Sequence, residues 1–382
     1  DSDDKHKEKE KEKEETKGMD IDKKEEDEEE EEEEEIKDAT PSKDIEEKVN
    51  IILAETTSSA SANSLSEGIE KLLYLEKKQR QREHEANTLF IAKQILDVCK
   101  SSGDWNITIE QIAILSRRRS QFRRVIMRIV QYTMKWLEQD DEMQRSKEKR
   151  LKLINTLISV TEGKIFVEVE RARLTRKLAE MKEKEEGNIA EACDILQELQ
   201  IETFGSMRKK EKCDFLLEQF RLNLAKKDFI RAVIVRNKIT LKILKNLYDL
   251  EVKYWNLSLI LFYHHERQFL QLAKSYFRLK ELLKSGKEKL QALSNGIFAL
   301  ILAKYDNEQY DLLHRTLQSE KKLLEQLPMF RQLLTLLTTQ ELIEWPLSDE
   351  MMSALSKFKF VGVVDNEQSD LITRFKDKVV QH

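Results

Sequence analysis

Residues 160–240 read VTEGKIFVEVERARLTRKLAEMKEKEEGNIAEACDILQELQIETFGSMRKKEKCDFLLEQFRLNLAKKDFIRAVIVRNKIT, and their spacing decides the fold. Val167, Leu174, Leu178 and Met181 recur at sevens, fours and threes, which places them on one face of a helix. Gly187-Asn188 interrupts the pattern as a left-handed helix end does. A second periodic run starts at once, through Ile189, Ala192, Leu196, Leu199 and Thr203. After Gly205-Ser206 the figure returns, with Cys213, Leu216, Phe220 and Leu224 in its first run and Lys227-Asp228-Phe229 opening its second. Gly187, Asn188, Ile189 and Ala192 therefore correspond to Lys227, Asp228, Phe229 and Ala232 at a shift of 40. The stretch is a helical-hairpin repeat.

One hairpin has two apolar faces and can bury only one of them, so it must stack on a neighbour. Ala192 and Ala232 suit places where helices cross closely, since a larger side chain would push the axes apart. The register runs on to Phe269, 40 residues after Phe229, with Leu272 and Ala273 behind it. Upstream, Trp105 lies 84 residues before Ile189 and Leu65 lies 40 before Trp105. The expected fold is all-α, a right-handed α-solenoid of helical hairpins of the tetratricopeptide-like kind. An ordinary helical bundle with coincidental spacing is the alternative, and the shared register of loop, bulky residue and alanine argues against it.

Composition points the same way. In 382 residues there are only 9 Gly and 3 Pro, and none of the Pro lies between Pro41 and Pro328, too few turn formers for a β-rich fold of this length. Cys99, Cys193 and Cys213 sit in apolar helical runs without metal-ligand spacing, as buried reduced thiols of an intracellular protein do. No apolar run is long enough for a membrane span, and no signal peptide is expected.

The net charge of −5 conceals a division. Residues 1–48 carry 25 acidic and 11 basic side chains, with Glu28 to Glu35 unbroken, whereas the remainder carries 56 Lys+Arg against 47 Asp+Glu. The first segment has almost no apolar residues to offset ordering entropy, so a disordered acidic tail is expected there. It reads as self-shielding or as a solubilising brush. Residues 49–286 are expected to form the repeat arm, and 287–382 further helical repeats. Capping boxes are expected at Ser64–Glu67, Thr108–Gln111 and Thr338–Glu341, with Gly286 and Gly296 as punctuation and Trp345-Pro346 as a helix stop.

Arg117, Arg118, Arg119, Arg123, Arg124 and Arg128 form the densest basic cluster. Arg117, Arg118, Arg119, Arg123 and Arg124 are candidate partner-docking residues, because guanidinium suits both phosphate and carboxylate. A solvated face with local ion pairs explains them equally well. No aromatic stacking pattern accompanies them, so nucleic acid is not expected. No phosphate-cradling Gly loop occurs. His264-His265-Glu266 invites a metal, but adjacent histidines point to different sides of a helix and no third ligand is spaced to join them. A His/Cys-dependent hydrolase would need His264, His265 or Cys213 in an open cleft. Cys213 has Lys210 and Lys212 nearby, yet its apolar register favours core. No catalytic residue, metal or cofactor is expected.

The blocks VTEGKIFVEVERARLTRKLA (160–179), ILQELQIETFGSM (195–207) and ILAKYDNEQYDLLHR (301–315) carry a resemblance, and LSRRRSQ (115–121) and LTTQELIEW (337–345) fit it. Over roughly residues 60–382 the chain resembles the proteasome–signalosome–initiation-factor scaffold family, with the proteasome-lid branch the better match. The resemblance implies a non-catalytic scaffold with a helical-repeat arm, a winged-helix module (PCI domain) and a C-terminal helix. Implied partners are other lid subunits, including the deubiquitinating metalloprotease subunit, together with the ATPase ring and the core particle. No nucleic acid or membrane is implied, and the location would be cytoplasm and nucleus. A signalosome-type scaffold acting in cullin deneddylation is the alternative. The acidic tail 1–48 departs from the family pattern, and the chain stops at Phe375–His382, about where the winged helix is expected to begin, so the resemblance implies that the repeats of 287–382 lead into a truncated winged-helix module.

Overall fold

In a computed structural model the described residues are 40–58, 62–139, 145–265, 267–339, 353, 358–360 and 368–381, and every regular element among them is a helix. They fall into two compact units that divide between Val167 and Glu168. The first holds α1 (Lys43–Ser58), α2 (Ala62–Gln81), α3 (Glu85–Ser101), α4 (Trp105–Arg117), α5 (Arg123–Gln139) and α6 (Lys147–Thr161). The second begins with α7 (Glu168–Lys184), α8 (Ile189–Gln197), α9 (Lys209–Ala225), α10 (Phe229–Lys238) and the short α11 (Leu241–Leu244). It continues through α12 (Tyr248–His264), α13 (Phe269–Leu282), α14 (Gly286–Leu302), α15 (Asn307–Ser319), α16 (Lys321–Leu324), α17 (Pro328–Thr338) and α18 (Gln368–Gln381).

The hairpins turn on a shared figure, as the spacing predicts. A residue in the left-handed region ends one helix, the next residue caps its successor, and a bulky residue starts the new helix. The first positions are Gly103, Gly187, Lys227 and Arg267, with φ of 75°, 67°, 63° and 48°. Asn188 N–H reaches back to Lys182 O at 3.1 Å, Asp228 N–H to Asn223 O at 2.9 Å, and Gln268 N–H to Phe262 O at 3.0 Å. These bonds satisfy carbonyls that the helix end would otherwise leave open. Asp104, Asn188 and Asp228 then accept from the backbone N–H of Asn106, Glu191 and Arg231. Lys227 and Arg267 hold a conformation that costs a non-glycine residue about 1 kcal/mol, which the bonds around them offset.

Behind each turn a small residue is sealed. Ala192, Ala232 and Ala273 are fully buried, and Leu272 occupies the third register position beside Ala273. Ala192 lies in a core with Ala172, Ala179, Leu196 and Phe215, and Ala232 in one with Leu216, Phe220, Leu224 and Leu261. In the C-terminal part Phe298 gathers Phe358 at 4.4 Å and Phe375 at 6.3 Å between ring centroids, which brings α18 into the same core as α14.

Several local expectations are corrected. Leu65 lies inside α2, already open at Ala62, so Ser64–Glu67 does not start that helix and Leu65 has no part in the turn figure. Asp104, and not Thr108, caps α4; the Thr108 hydroxyl donates back to Asp104 O at 3.0 Å within the helix. Gly296 does not punctuate the chain but sits inside α14, where a Cβ would lie 2.8 Å from the Phe277 ring. The missing side chain is what lets α13 and α14 approach. Thr338 ends α17 and does not open a helix, and Glu341 and Trp345-Pro346 lie outside the described residues. Helix α1 starts at Lys43 with Ile45 and Val49 buried, inside the segment expected to be tail, whose residues 1–39 also lie outside the described ones.

Candidate docking surface

In the second unit, polar ties join successive hairpins at one fixed offset. Ser206 Oγ donates to Glu168 at 2.8 Å, Arg173 grips Glu211 through two bonds of 2.7 and 2.9 Å, and Arg176 donates to Asp214 at 2.6 Å. Arg221 reaches back to Glu183 at 2.7 Å, and all four pairs are separated by 38 residues. A constant difference in number means that α7 and α9 run in the same direction and in register, since antiparallel neighbours would hold a constant sum. Lys253 of α12 extends the seam to Glu218 at 3.3 Å. Burial opposes the Glu218 charge, but Arg221 and Lys253 hold its carboxyl below the usual range.

The arginine cluster lies in the first unit, at the turn between α4 and α5. Its members separate. Arg118 turns inward and donates to Glu76 of α2, a carboxylate that is 0% exposed. Arg80 binds the same group at 3.1 Å and Gln121 donates to it at 3.2 Å. Ser120, with φ 57°, bends the loop so that Gln121 can also reach Leu115 O at 3.0 Å. Arg118 therefore positions the loop. Arg117 is exposed but tied to Ser159 of α6 at 3.0 Å. Arg119, Arg123 and Arg124 are exposed and make no ion pair among the described residues.

These groups border a groove of about 990 Å³ between α2 and the α4–α5 turn. Its walls include Tyr74, Lys77, Arg80, Arg118, Arg119 and Phe122, and Tyr74 is 68% exposed. The α2 wall is not apparent in the sequence. Glu76, Lys77 and Arg80 read there as a solvated helix face, and only the i,i+4 spacing of Glu76 and Arg80 hints at a pair.

The other candidate residues take structural places. Phe229 stacks on His264 and His265, with ring centroids 6.1 and 5.9 Å apart. Cys213 is 3% exposed within the α9–α12 core, and burial raises its thiol pKa, as it does for Cys193. Burial pushes Cys99 to about 11. At pH 8 a thiol of that pKa is about one part in a thousand thiolate. All three thiols should therefore resist alkylation in the native chain and react fully once it is unfolded, as counted by intact mass. Rapid native labelling of Cys213 would contradict the packing. Among the described residues no group of three His, Cys, Asp or Glu side chains could hold a metal ion, and no helix is long and apolar enough to cross a membrane.

A family model described as PSMD12/CSN4, N-terminal, matches residues 67–288. The chain is 38% identical over 314 residues to the 26S proteasome non-ATPase regulatory subunit 12 of Dictyostelium discoideum, covering 81% of this chain and 67% of that protein. It is 36% identical to the 26S proteasome non-ATPase regulatory subunit 12 homolog A of Arabidopsis thaliana, covering 74% and 69%. To the 26S proteasome regulatory subunit RPN5 of Saccharomyces cerevisiae it is 37% identical, covering 76% and 65%. The chain thus spans about two thirds of the length of these curated relatives.

Proposed function

This chain belongs to the PSMD12/CSN4 family, among the 26S proteasome regulatory subunit 12 proteins, and from that premise we propose that it is a non-catalytic scaffold subunit of the regulatory-particle lid. It would support assembly and ubiquitin-dependent protein degradation by presenting helix faces to its neighbours. Those neighbours would be other lid subunits, the deubiquitinating metalloprotease subunit among them, together with the ATPase ring and the core particle, in cytoplasm and nucleus. The observation that carries this reading is the stack of hairpins in the second unit tied by fixed-offset ion pairs, which builds surface while Cys99, Cys193 and Cys213 stay buried. The three relatives named all carry proteasome names, so the signalosome alternative is not favoured.

Purification of the tagged full chain from cells tests the proposal. ATPase subunits and hydrolysis of ubiquitin chains should accompany it. Cullin deneddylation in their place would move it to the signalosome, and turnover by the chain alone would end the scaffold reading.

The exposed arginines are the proposed docking residues within that role, with Arg117 at the edge and Arg118 behind them. Reversing Arg119, Arg123 and Arg124 to Glu together should leave the melting temperature unchanged within about 2 °C, as surface changes do. Recovery of partner subunits should fall about tenfold, the effect of losing roughly 1.4 kcal/mol at an interface. Unchanged recovery would make these side chains solvated surface. Arg118 is left out because its removal would disturb Glu76.

A further inference from the structure

The chain enters α1 beside the first turn of α3. Ser42 N–H donates to Asn87 Oδ1 at 2.9 Å, and the Asn87 amide reaches Gln79 of α2 at 3.4 Å. Gln79 is buried and points about 100° around α2 from Arg80, but Glu83 of the groove wall lies only four residues before Asn87, in the α2–α3 turn. Residue 42 is therefore anchored at the first turn of α3, next to the α2–α3 turn whose Glu83 bounds one end of the groove, and the preceding chain connects there. Residues 1–39 hold 22 Asp+Glu against 9 Lys+Arg, and the unbroken run Glu28–Glu35 ends seven residues before Ser42. Seven extended residues reach about 25 Å. That reach exceeds the diameter of a helix with its side chains, about 10–12 Å, as is needed to pass around α2 to the groove.

The groove has the complementary sign. Lys77, Arg80, Arg118 and Arg119 line it against one carboxylate, Glu83; the charges of Arg80 and Arg118 are shared with the buried Glu76 behind them, and exposed Arg123 and Arg124 follow close by in the chain. We propose that the segment Glu28–Glu35 of this same chain docks in the groove between α2 and the α4–α5 turn, held by Lys77, Arg119, Arg123 and Arg124. The short tether sets the local concentration of those carboxylates in the millimolar range, so a separate acidic peptide at micromolar concentration competes poorly. The tail and the partner proposed above would compete for Arg119, Arg123 and Arg124, so the tail contact is tested on the isolated chain, where its failure leaves the partner reading standing.

Zero-length carbodiimide coupling of carboxylate to amine on the full chain tests it, read by mass spectrometry on an equal mixture of ¹⁴N and ¹⁵N protein. Carboxylates of Glu28–Glu35 should couple to Lys77 in preference to lysines of the second unit, and the linked peptides should carry a single isotope. Raising salt from 0.01 to 1 M shortens the screening length from about 30 to about 3 Å and should cut the yield several-fold. Triple reversal of Arg119, Arg123 and Arg124 to Glu should do the same at low salt. Tail links scattered without preference for Lys77, mixed-isotope links in the majority, or a yield indifferent to salt would each overturn the assignment. The salt series uses the native chain, so the proposal stays testable even if the variant folds poorly.

Discussion

Replacing Ala192 with arginine should cost the second unit about 3 kcal/mol or more. Ala192 is 0% exposed and sits where α8 crosses against α7, in a core that includes Ala172 and Ala179. Small residues on both sides of the crossing mean that no neighbour can swing away to admit a long side chain. The guanidinium would then face apolar atoms without a partner, and strain adds to that desolvation. Ala190→Arg on the exposed face of the same helix is the control and should stay within about 0.5 kcal/mol. Denaturant midpoints followed by circular dichroism compare the two. Equal midpoints would mean that α8 does not pack through Ala192.

Glu76→Ala should be nearly as damaging, by about 3 kcal/mol, and in the first unit. The carboxylate is fully buried, while the Arg80 and Arg118 side chains that bind it are 10% and 20% exposed. Removing the anion leaves two largely desolvated cations facing each other, the costly half of a broken buried pair. A double-mutant cycle with Glu76→Gln and Arg118→Gln isolates the pair, and a coupling above about 1 kcal/mol is expected. Additive effects would reduce Arg118 to one more surface cation.

Whatever repeats with a period was legible in the sequence; whatever depends on a single distant contact was not. Gly187-Asn188-Ile189 and Lys227-Asp228-Phe229 announce their turns because left-handed geometry, capping and burial each demand a residue type at a fixed place. Thr108 and Ser64 misled because a capping box is a short pattern, while α4 and α2 begin where Asp104 and the hairpin geometry place them. Gly296 looked like a break because glycine usually is one; only the Phe277 ring against its Cα explains it as a packing residue. The docking surface was half visible. Five arginines within eight residues mark the turn as basic, but Arg118 belongs to Glu76, 42 residues upstream, and no local signal assigns that bond. Tyr74 and Lys77 were invisible as groove walls because a helix face tells nothing of the loop laid across it.

The ties at the 38-residue offset link α7 to α9 and the turn before it, and Lys253 passes the connection on to α12. Mechanically, this part of the molecule resembles a row of clasped links, each gripping the next and none reaching past it. Load applied at one end passes from α7 to α9 and on to α12, and with Arg173–Glu211 cut, Arg176–Asp214 and Arg221–Glu183 still hold the first two together. Pulling on single molecules should show this as stepwise lengthening in place of one abrupt release.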